Sequence, residues 1–176
     1  NLTNRLSDGV FQKNYESNAF LQRVKGVLEL GMFPDYLMNL YAEFTPIDEA
    51  ASAVMTITRH FSTEQTVFHI NSIKVVYFDK LFKYFNDLGF KVDIVDGVIF
   101  TVALRKTAEQ NGTAHIFETF INDMDENDQL SYDSNIRIEN DFTVQYLKSL
   151  GFEWADIGID YLRKYIAYFK KINYMR

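Results

Sequence analysis

The residue types that could do chemistry are spread along this chain of 176 residues and do not form a complete active-site motif. A dinucleotide-binding loop needs three glycines close together at the start of a helix, and the eight glycines do not cluster in that way. Gly26 and Gly31 have the spacing of a phosphate-binding loop, but Met32 and Phe33 stand where its lysine and hydroxyl residue belong. There is no Gly-x-Ser-x-Gly motif, and no tyrosine is followed by a lysine four residues later. The sequence therefore predicts no catalytic residue within this chain.

Metal chemistry is equally poorly supported by the sequence. Asp123, Asp125 and Asn127 resemble the first half of a calcium-binding loop. However, Asp128 occupies the position of the required glycine and Ser134 that of the bidentate glutamate. The three histidines have no partner at helical spacing, and the absence of cysteine excludes thiolate zinc sites, a cysteine nucleophile and disulfides. We expect no metal site, and a chain without disulfides has the cytoplasm as its default compartment.

The polar residues that remain are concentrated at the start of the chain, in residues 1–14. They are denser than an amphipathic helix requires. One interpretation is a loop with a turn at Asp8-Gly9 and a helix N-cap at Ser17 or Asn18. The other is a binding segment.

Composition and charge limit the function classes. The chain has 18 basic and 24 acidic residues, a formal net charge of −6, which argues against nucleic acid or an anionic membrane as partner. Apolar residues make up 47% and aromatic residues 16%, enough for a sizeable core. No apolar run has the length of a membrane span and no signal peptide is visible. Because the first residue is Asn1 rather than Met, we expect the sequence to be a piece of a longer protein.

The elements that must position these residues are mainly helices, since glycine and proline together number only ten. The segment 91–106 fits a strand or a helix, and we favour a strand followed by a buried helix. The other predicted elements are a helix over 17–30 ending at Gly31, a short extended segment into Pro46, a helix from Asp48 to about His60, a strand over Thr66–Ile70, a helix through Phe78–Phe85, a solvated acidic loop over 117–141 and a last helix from Asp156 to Asn173.

Two segments, 84–90 and 146–152, share the ending Leu-Gly-Phe. This pattern is typical of a helix stop, in which glycine takes a positive φ and the following apolar residue packs back on the last turn. We therefore predict positive φ at Gly89 and Gly151. Because the flanking residues differ, the pattern is a repeated cap and not a duplication.

The last predicted helix has one apolar face and several cations. Ile159, Leu162, Tyr165, Ile166 and Phe169 fall on the apolar face at helical spacing. The cations, Arg163, Lys164, Lys170 and Lys171, fall elsewhere and toward the C-terminal end. Either these cations interact favourably with the negative C-terminal end of the helix dipole, or they form a docking surface for an acidic partner.

Several motifs, taken in order, resemble a known family. They are Asn1-Leu2-Thr3-Asn4-Arg5, Ser7-Asp8-Gly9, Phe11-Gln12, Asn18-Ala19-Phe20, Phe44-Thr45-Pro46-Ile47-Asp48 and Ala50-Ala51. Over at least residues 1–90 the chain resembles the C-terminal part of the thioester reductase domains that terminate nonribosomal peptide synthetases, in the extended short-chain dehydrogenase/reductase class. The implied fold is α/β for the family. For this chain it is a single, predominantly α-helical C-terminal subdomain over 1–176 with a few short strands.

The resemblance implies an NADPH-dependent reductase that releases a peptidyl thioester from a carrier protein as an aldehyde or alcohol. The implied partners are the peptidyl carrier protein with its phosphopantetheine arm and the upstream Rossmann half of the same domain. The family places its glycine-rich loop and its Thr, Tyr and Lys catalytic set in that upstream half. By implication, the present chain covers the substrate pocket and would be inactive alone.

The resemblance also assigns the candidate site residues. Asn1 and Leu2 are expected on the nicotinamide side. Asp8, Phe11, Gln12 and Asn18 are expected to bind the substrate and the phosphopantetheine arm, although Phe11 fits the core equally well and Asn18 an N-cap. Arg163, Lys164, Lys170 and Lys171 are expected to dock the carrier protein. The alternative is a non-catalytic helical protein-interaction module that uses the acidic loop or the last helix.

Overall fold

The computed structural model describes residues 2–61, 67–110, 114–131 and 139–175. In chain order its regular elements are β1 (Leu2–Thr3), α1 (Ala19–Leu30), β2 (Met32–Pro34), β3 (Tyr41–Glu43), β4 (Thr45–Pro46), α2 (Ile47–Arg59), β5 (Val75–Tyr77), α3 (Phe78–Asp87), β6 (Asp93–Val95), α4 (Gly97–Gln110), α5 (Ala114–Asn122), α6 (Asp141–Ser149) and α7 (Ile159–Lys171). The prediction of a mainly helical chain with a few short strands is confirmed. Within the described ranges, no helix has the length and apolar character needed to cross a bilayer.

The chain divides into two compact units. The first unit takes residues 1–11, 42–76 and 135–176, and the second takes residues 12–41 and 77–134. The strands form three pairs, β1 with β4, β2 with β6 and β3 with β5. The prediction that residues 1–176 act as a single subdomain stays a prediction.

The first unit is built around an aromatic cluster on α7. The Phe44 ring lies edge-on to Tyr161 and Tyr165, with centroids 5.9 and 6.4 Å apart, and Tyr165 lies edge-on to Phe169 at 5.0 Å. All four side chains are buried. A smaller core of Ala53, Ile57, Leu147 and Trp154 joins α2 to α6 and the loop after it. The apolar face predicted for the last helix is therefore confirmed.

The second unit packs α1 against α5 at very close range. A Cβ added to Gly26 would lie 2.4 Å from Cε2 of Phe120, so the helices can approach this closely only because residue 26 has no side chain. In the same unit, β2 and β6 are parallel with Phe33 opposite Ile94. The Phe33 ring packs on Phe82 of α3 with centroids 4.5 Å apart.

Both predicted helix stops are confirmed as Schellman caps. Gly89 has φ 93° and Gly151 has φ 79°. The N–H of Phe90 donates to the carbonyl of Phe85, and the N–H of Phe152 to that of Leu147, each at 3.0 Å. These are the bonds that close the last turn in this motif.

The predicted strand over Thr66–Ile70 is wrong for its described part, since Val67–Ile70 has no regular strand. Side chains of α6 hold this segment instead. The His69 N–H donates to Oγ1 of Thr143 at 3.1 Å, and the Phe68 ring packs on Phe142 and Tyr146. Thr66 lies outside the described residues.

The helix predicted within 91–106 is present, but the prediction that it is buried is wrong. α4 buries Phe100 and Leu104, whereas Val98, Ile99 and Val102 are 72, 55 and 61% exposed. Because α4 packs against α5 and β2 on one side, its other side remains open in this chain.

The acidic stretch 117–141 is also more ordered than the predicted loop. Its first part belongs to α5, with Phe117 and Phe120 buried. The turn after α5 is stabilised by Asp125, whose Oδ1 accepts the N–H groups of Asn127 and Gln129 at 2.8 and 3.0 Å. These two donors lower the pKa of Asp125, and the N–H of Gln129 has the larger effect.

Other carboxylates of this stretch pair with arginines inside the second unit. Asp123 accepts Nε and Nη2 of Arg23 at 2.6 and 2.9 Å, and Asp128 pairs with Arg105. The acidic residues near α5 are therefore used to order the turn. Residues 132–138 lie outside the described part of the chain.

Candidate functional site

The predicted binding residues of the first unit lie on residues 2–11, here called the N-terminal segment. It starts with β1, which pairs in parallel with β4, Leu2 opposite Thr45 and Thr3 opposite Pro46. The Leu2 side chain is 51% exposed while that of Thr3 is buried. The strand therefore presents an accessible apolar side chain at Leu2. Asn1 lies outside the described residues.

After β1 the N-terminal segment closes into a tight turn. The Arg5 N–H donates to the carbonyl of Val10 at 3.0 Å, and the Gly9 N–H donates to the carbonyl of Arg5 at 2.9 Å. Nδ2 of the fully buried Asn4 donates to the Gly9 carbonyl at 2.5 Å. Because these bonds are internal to the segment, the turn keeps its shape as one piece.

Gly9 allows this turn to lie directly on α7. It has φ 75°, and a Cβ built there would lie 2.4 Å from the carbonyl oxygen of Lys164. Only glycine fits both the positive φ and the contact with helix backbone.

The start of α2 holds the same turn from another direction. Oδ1 of Asp48 accepts the N–H of Leu6 at 2.8 Å and Oδ2 accepts the N–H of Ser7 at 3.1 Å. Burial raises the pKa of Asp48, but these N–H donors outweigh it and leave the pKa below its ordinary value. Asp48 is therefore ionised at neutral pH.

Two side chains of α7 complete the contacts. The Tyr161 hydroxyl lies 2.8 Å from Oγ1 of Thr3 and 3.1 Å from the carbonyl of Asn4. Burial raises the pKa of Tyr161, so it stays a neutral phenol that can donate. Nζ of Lys164 donates to the carbonyl of Leu6 at 3.0 Å.

Asp8, predicted to bind substrate, has local partners in this turn. Its Oδ1 accepts the Val10 N–H at 3.0 Å and Nε of Arg5 at 2.9 Å. The Val10 N–H and then Arg5 lower the pKa of Asp8. It is an exposed carboxylate, charged at neutral pH, and its substrate role stays a prediction.

Phe11 and the two remaining predicted pocket residues have different surroundings. Phe11 is partly buried with its ring 5.8 Å from that of Phe169, which fits the core interpretation left open by the sequence. Gln12 is exposed in the second unit. Oδ1 of Asn18 accepts the N–H of Leu21 at 2.9 Å, so the N-cap interpretation of Asn18 is confirmed.

The predicted docking cations share one face of α7. Arg163, Lys164, Lys170 and Lys171 are all exposed, and at 100° per residue they fall within a third of the helix circumference. Arg163 also pairs with Asp160, one turn earlier on the same face. We call these four residues the basic face of α7. Nζ of Lys164 also donates to the carbonyl of Leu6.

Sequence reasoning missed two functional candidates, the holding of the turn by Asp48 and by Tyr161. A partial signal existed for Asp48, since the helix dipole favours an acidic residue in the first turn of a helix. Tyr161 gave no signal, because its partners lie 158 and 157 residues away in sequence. In the parts of the chain that the structure describes, no group of three acidic or histidine side chains is placed to hold a metal ion.

A search of solved structures found reductase domains with the same fold. A thiolation-reductase di-domain from an archaeal non-ribosomal peptide synthetase matches with 29% identity over 100% of this chain and 35% of that chain, at a TM-score of 0.80. The terminal R domain of the myxalamid PKS-NRPS pathway matches 99% of this chain and 43% of that chain, with 15% identity and a TM-score of 0.79. The reductase domain of the Aureusimine biosynthetic cluster matches 98% of this chain and 43% of that chain, with 19% identity and a TM-score of 0.72. The last two show the fold alone.

These matches confirm the resemblance predicted from the sequence. The chain has the fold of the C-terminal subdomain of the nonribosomal peptide synthetase reductase domains, of the extended short-chain dehydrogenase/reductase class. It spans about a third of the length of the archaeal di-domain. A scan of family models and a search of curated proteins gave no match.

Proposed function

We propose that this chain is the substrate-binding subdomain of a reductase that releases a carrier-bound peptidyl thioester as an aldehyde or alcohol, with NADPH as reductant. The observation that carries the proposal is the match to the archaeal thiolation-reductase di-domain over the whole chain at 29% identity. The N-terminal segment supports it, because the resemblance motifs within residues 2–11 include a turn that Asp48, Tyr161 and Lys164 hold.

In the overall reaction the thioester carbonyl carbon gains a hydride and its bond to sulfur breaks. The phosphopantetheine thiol leaves with a proton, and the product is the aldehyde. A second hydride and proton give the alcohol. When bound, NADPH supplies the hydride. The groups that move protons are assigned to the Rossmann half, and the role of this chain is to orient the thioester.

The described residues offer NADPH only a small surface. Leu2 is apolar and half exposed at the end of β1, which suits contact with a nicotinamide ring. The phosphates of a dinucleotide are usually held by a glycine-rich loop at a helix start, and this sequence has none. We therefore assign Asn1 and Leu2 to the nicotinamide side and the rest of the cofactor site to the Rossmann half.

The substrate side of the proposal rests on Asp8, Phe11, Gln12 and Asn18. Asp8 and Gln12 are exposed, so their side chains are available to a peptide or to the amides of the arm. Phe11 and Asn18 act more indirectly, since one packs on α7 and the other caps α1. Each residue is proposed to contribute to substrate binding and none to take part in proton transfer.

The basic face of α7 is our proposed docking surface for the carrier protein. Carrier proteins of this kind are acidic by the family resemblance, and four exposed cations on one helix face would attract such a partner. Long-range attraction of this type acts mainly on the association rate and weakens with salt. In the archaeal structure a thiolation domain accompanies the reductase.

The alternative, a non-catalytic interaction module, is supported by the exposed basic face of α7 and by an exposed apolar side of α4. Val98, Ile99 and Val102 give α4 an exposed apolar side in this chain. The acidic stretch gives the alternative less support than its charge suggests, since Asp123 and Asp128 pair with arginines of the same unit.

The experiment that separates the two uses the complete reductase domain that contains this chain. A carrier protein loaded with a peptidyl thioester is mixed with the domain and NADPH, and the aldehyde or alcohol product is identified by mass spectrometry. The control is the same carrier without its phosphopantetheine arm. We expect NADPH oxidation and the reduced product only with the loaded carrier. Carrier binding without NADPH oxidation would favour the interaction module and contradict the reductase.

A further inference from the structure

We infer that Asp48 is a positioning residue for the proposed thioester reduction, because its carboxylate fixes the N-terminal segment to the start of α2. The inference rests on the proposed function for its chemical consequence. Asp48 itself lies in the first turn of α2 and is assigned no contact with substrate or cofactor.

Both oxygens of Asp48 are used, and they bind consecutive residues. Oδ1 is 2.8 Å from the N–H of Leu6 and Oδ2 is 3.1 Å from that of Ser7. A carboxylate can accept at both oxygens, whereas an asparagine amide has one acceptor and one donor group. An asparagine at this position would keep one bond and direct an NH₂ group at the other backbone N–H. The site therefore requires a carboxylate.

The peptide groups around Leu6 are held from two sides. Asp48 accepts the Leu6 N–H, while Nζ of Lys164 donates to the Leu6 carbonyl at 3.0 Å. The two charged groups come from different helices, α2 and α7. A residue with both its N–H and its C=O bound to charged side chains has little freedom to reorient.

This fixed point lies between the residues proposed to meet the reactants. Leu2 precedes Leu6 by four residues, and Asp8 and Phe11 follow it in the same N-terminal segment. Hydrogen bonds among residues 4–10 tie this turn together. Loosening the attachment at Asp48 would therefore displace the turn that carries Asp8 and that joins Leu2 to Phe11. Misplacement of reacting groups by about 1 Å can lower a rate about a hundredfold.

A matched control lies one residue further along the helix. Glu49 is in the same first turn of α2, and its carboxylate accepts the backbone N–H of Ala155, 3.1 Å from Oε2. Asp48→Asn and Glu49→Gln therefore each remove one negative charge from the same helix start and weaken one side-chain to backbone attachment. Only Asp48→Asn affects the N-terminal segment.

The test compares these two variants with the wild type in the complete reductase domain. With saturating NADPH and carrier-bound thioester, we expect Asp48→Asn to lower kcat about 10- to 100-fold and Glu49→Gln to change it less than about twofold. The dissociation constant for NADPH should stay within about twofold in both variants, because most of the dinucleotide site, including its phosphate-binding loop, is assigned to the Rossmann half. Equal kcat losses in the two variants, or none in either, would overturn the inference.

A second measurement does not depend on the reaction. Amide hydrogen exchange of residues 6 and 7 should become at least about tenfold faster in Asp48→Asn and remain unchanged in Glu49→Gln. Unchanged exchange in Asp48→Asn would overturn the inference even if the domain is active. Faster exchange in Asp48→Asn, found together with a wild-type domain that reduces no thioester, would instead overturn the proposed function and leave the attachment at Asp48 established.

Discussion

Replacing Gly9 by alanine is the sharpest test of how the N-terminal segment is mounted on α7. The substitution has two costs. A φ of 75° is strained for a residue with a Cβ, at about 1 kcal/mol. In addition, the new Cβ would lie 2.4 Å from the oxygen and 2.6 Å from the carbon of the Lys164 carbonyl.

The second cost can be estimated separately. Lys164 lies in the middle of α7, so its carbonyl cannot move without distorting the helix. Overpacking of this kind costs about 1–3 kcal/mol. The total for Gly9→Ala is then about 2–4 kcal/mol. Gly151 provides the control, because its φ is 79° but a Cβ there has nothing within 4 Å. Gly151→Ala should cost about 1 kcal/mol.

The assay is thermal unfolding of the 176-residue chain followed by circular dichroism. For a domain of this size, 1 kcal/mol lowers Tm by about 2–4 °C. We expect a loss of about 2–4 °C for Gly151→Ala and of about 5–15 °C for Gly9→Ala. Equal losses would refute the close contact between Gly9 and α7. An unchanged Tm for Gly151→Ala would refute the Schellman cap.

Three further predictions follow from the same contacts. In urea unfolding, Tyr161→Phe should lower the free energy of unfolding by about 1–2 kcal/mol, because it removes the hydroxyl that bonds Thr3. Tyr165→Phe should leave it unchanged or raise it, because the buried Tyr165 hydroxyl has no hydrogen-bond partner among the described residues. The Asp48 carboxylate should stabilise the fold fully above its ordinary pKa of 3.8, and this stabilisation should be lost as the pH falls through the lower pKa of the folded state. The difference in free energy of unfolding between wild type and Asp48→Asn should therefore become smaller in acid. In the complete domain, Lys170→Glu with Lys171→Glu should raise KM for the carrier-bound thioester and leave a small thioester mimic unaffected, and equal effects on both substrates would contradict docking at the basic face.

The parts of the fold predicted correctly are those set by local sequence. A Schellman cap is closed by bonds between residues at most five apart, so Leu-Gly-Phe at residues 88–90 and 150–152 contains all the information needed. The same holds for Asn18, which caps a helix that begins at the next residue. The apolar face of α7 follows from spacing alone.

The errors occurred where burial depends on distant partners. The first half of α4 is apolar nearly all round, and the sequence does not show that only one side of the helix meets α5 and β2. In α5 the acidic composition masked a helical signal, the buried pair Phe117 and Phe120 at i, i+3. Val67–Ile70 has strand-forming residues but packs on α6 through its side chains.

In the candidate site, too, local sequence predicted residues of a contiguous motif but not the distant residues that hold them. Asp8 and Phe11 were predicted as site residues because the motifs of the N-terminal segment are contiguous in sequence. Their support is not contiguous, since Asp48 lies 42 residues from its bonded partner Leu6. A single sequence records the residues of such a contact but not their distance.

The central claim is a division of labour, in which this chain orients the substrate and the Rossmann half holds the cofactor. Calorimetric titration of NADPH into the 176-residue chain and into the complete reductase domain tests it most directly. We predict micromolar or tighter binding to the complete domain and no measurable binding to the chain alone, because the glycine-rich loop supplies most of the dinucleotide contacts. Micromolar or tighter binding of NADPH to the chain alone would contradict the account.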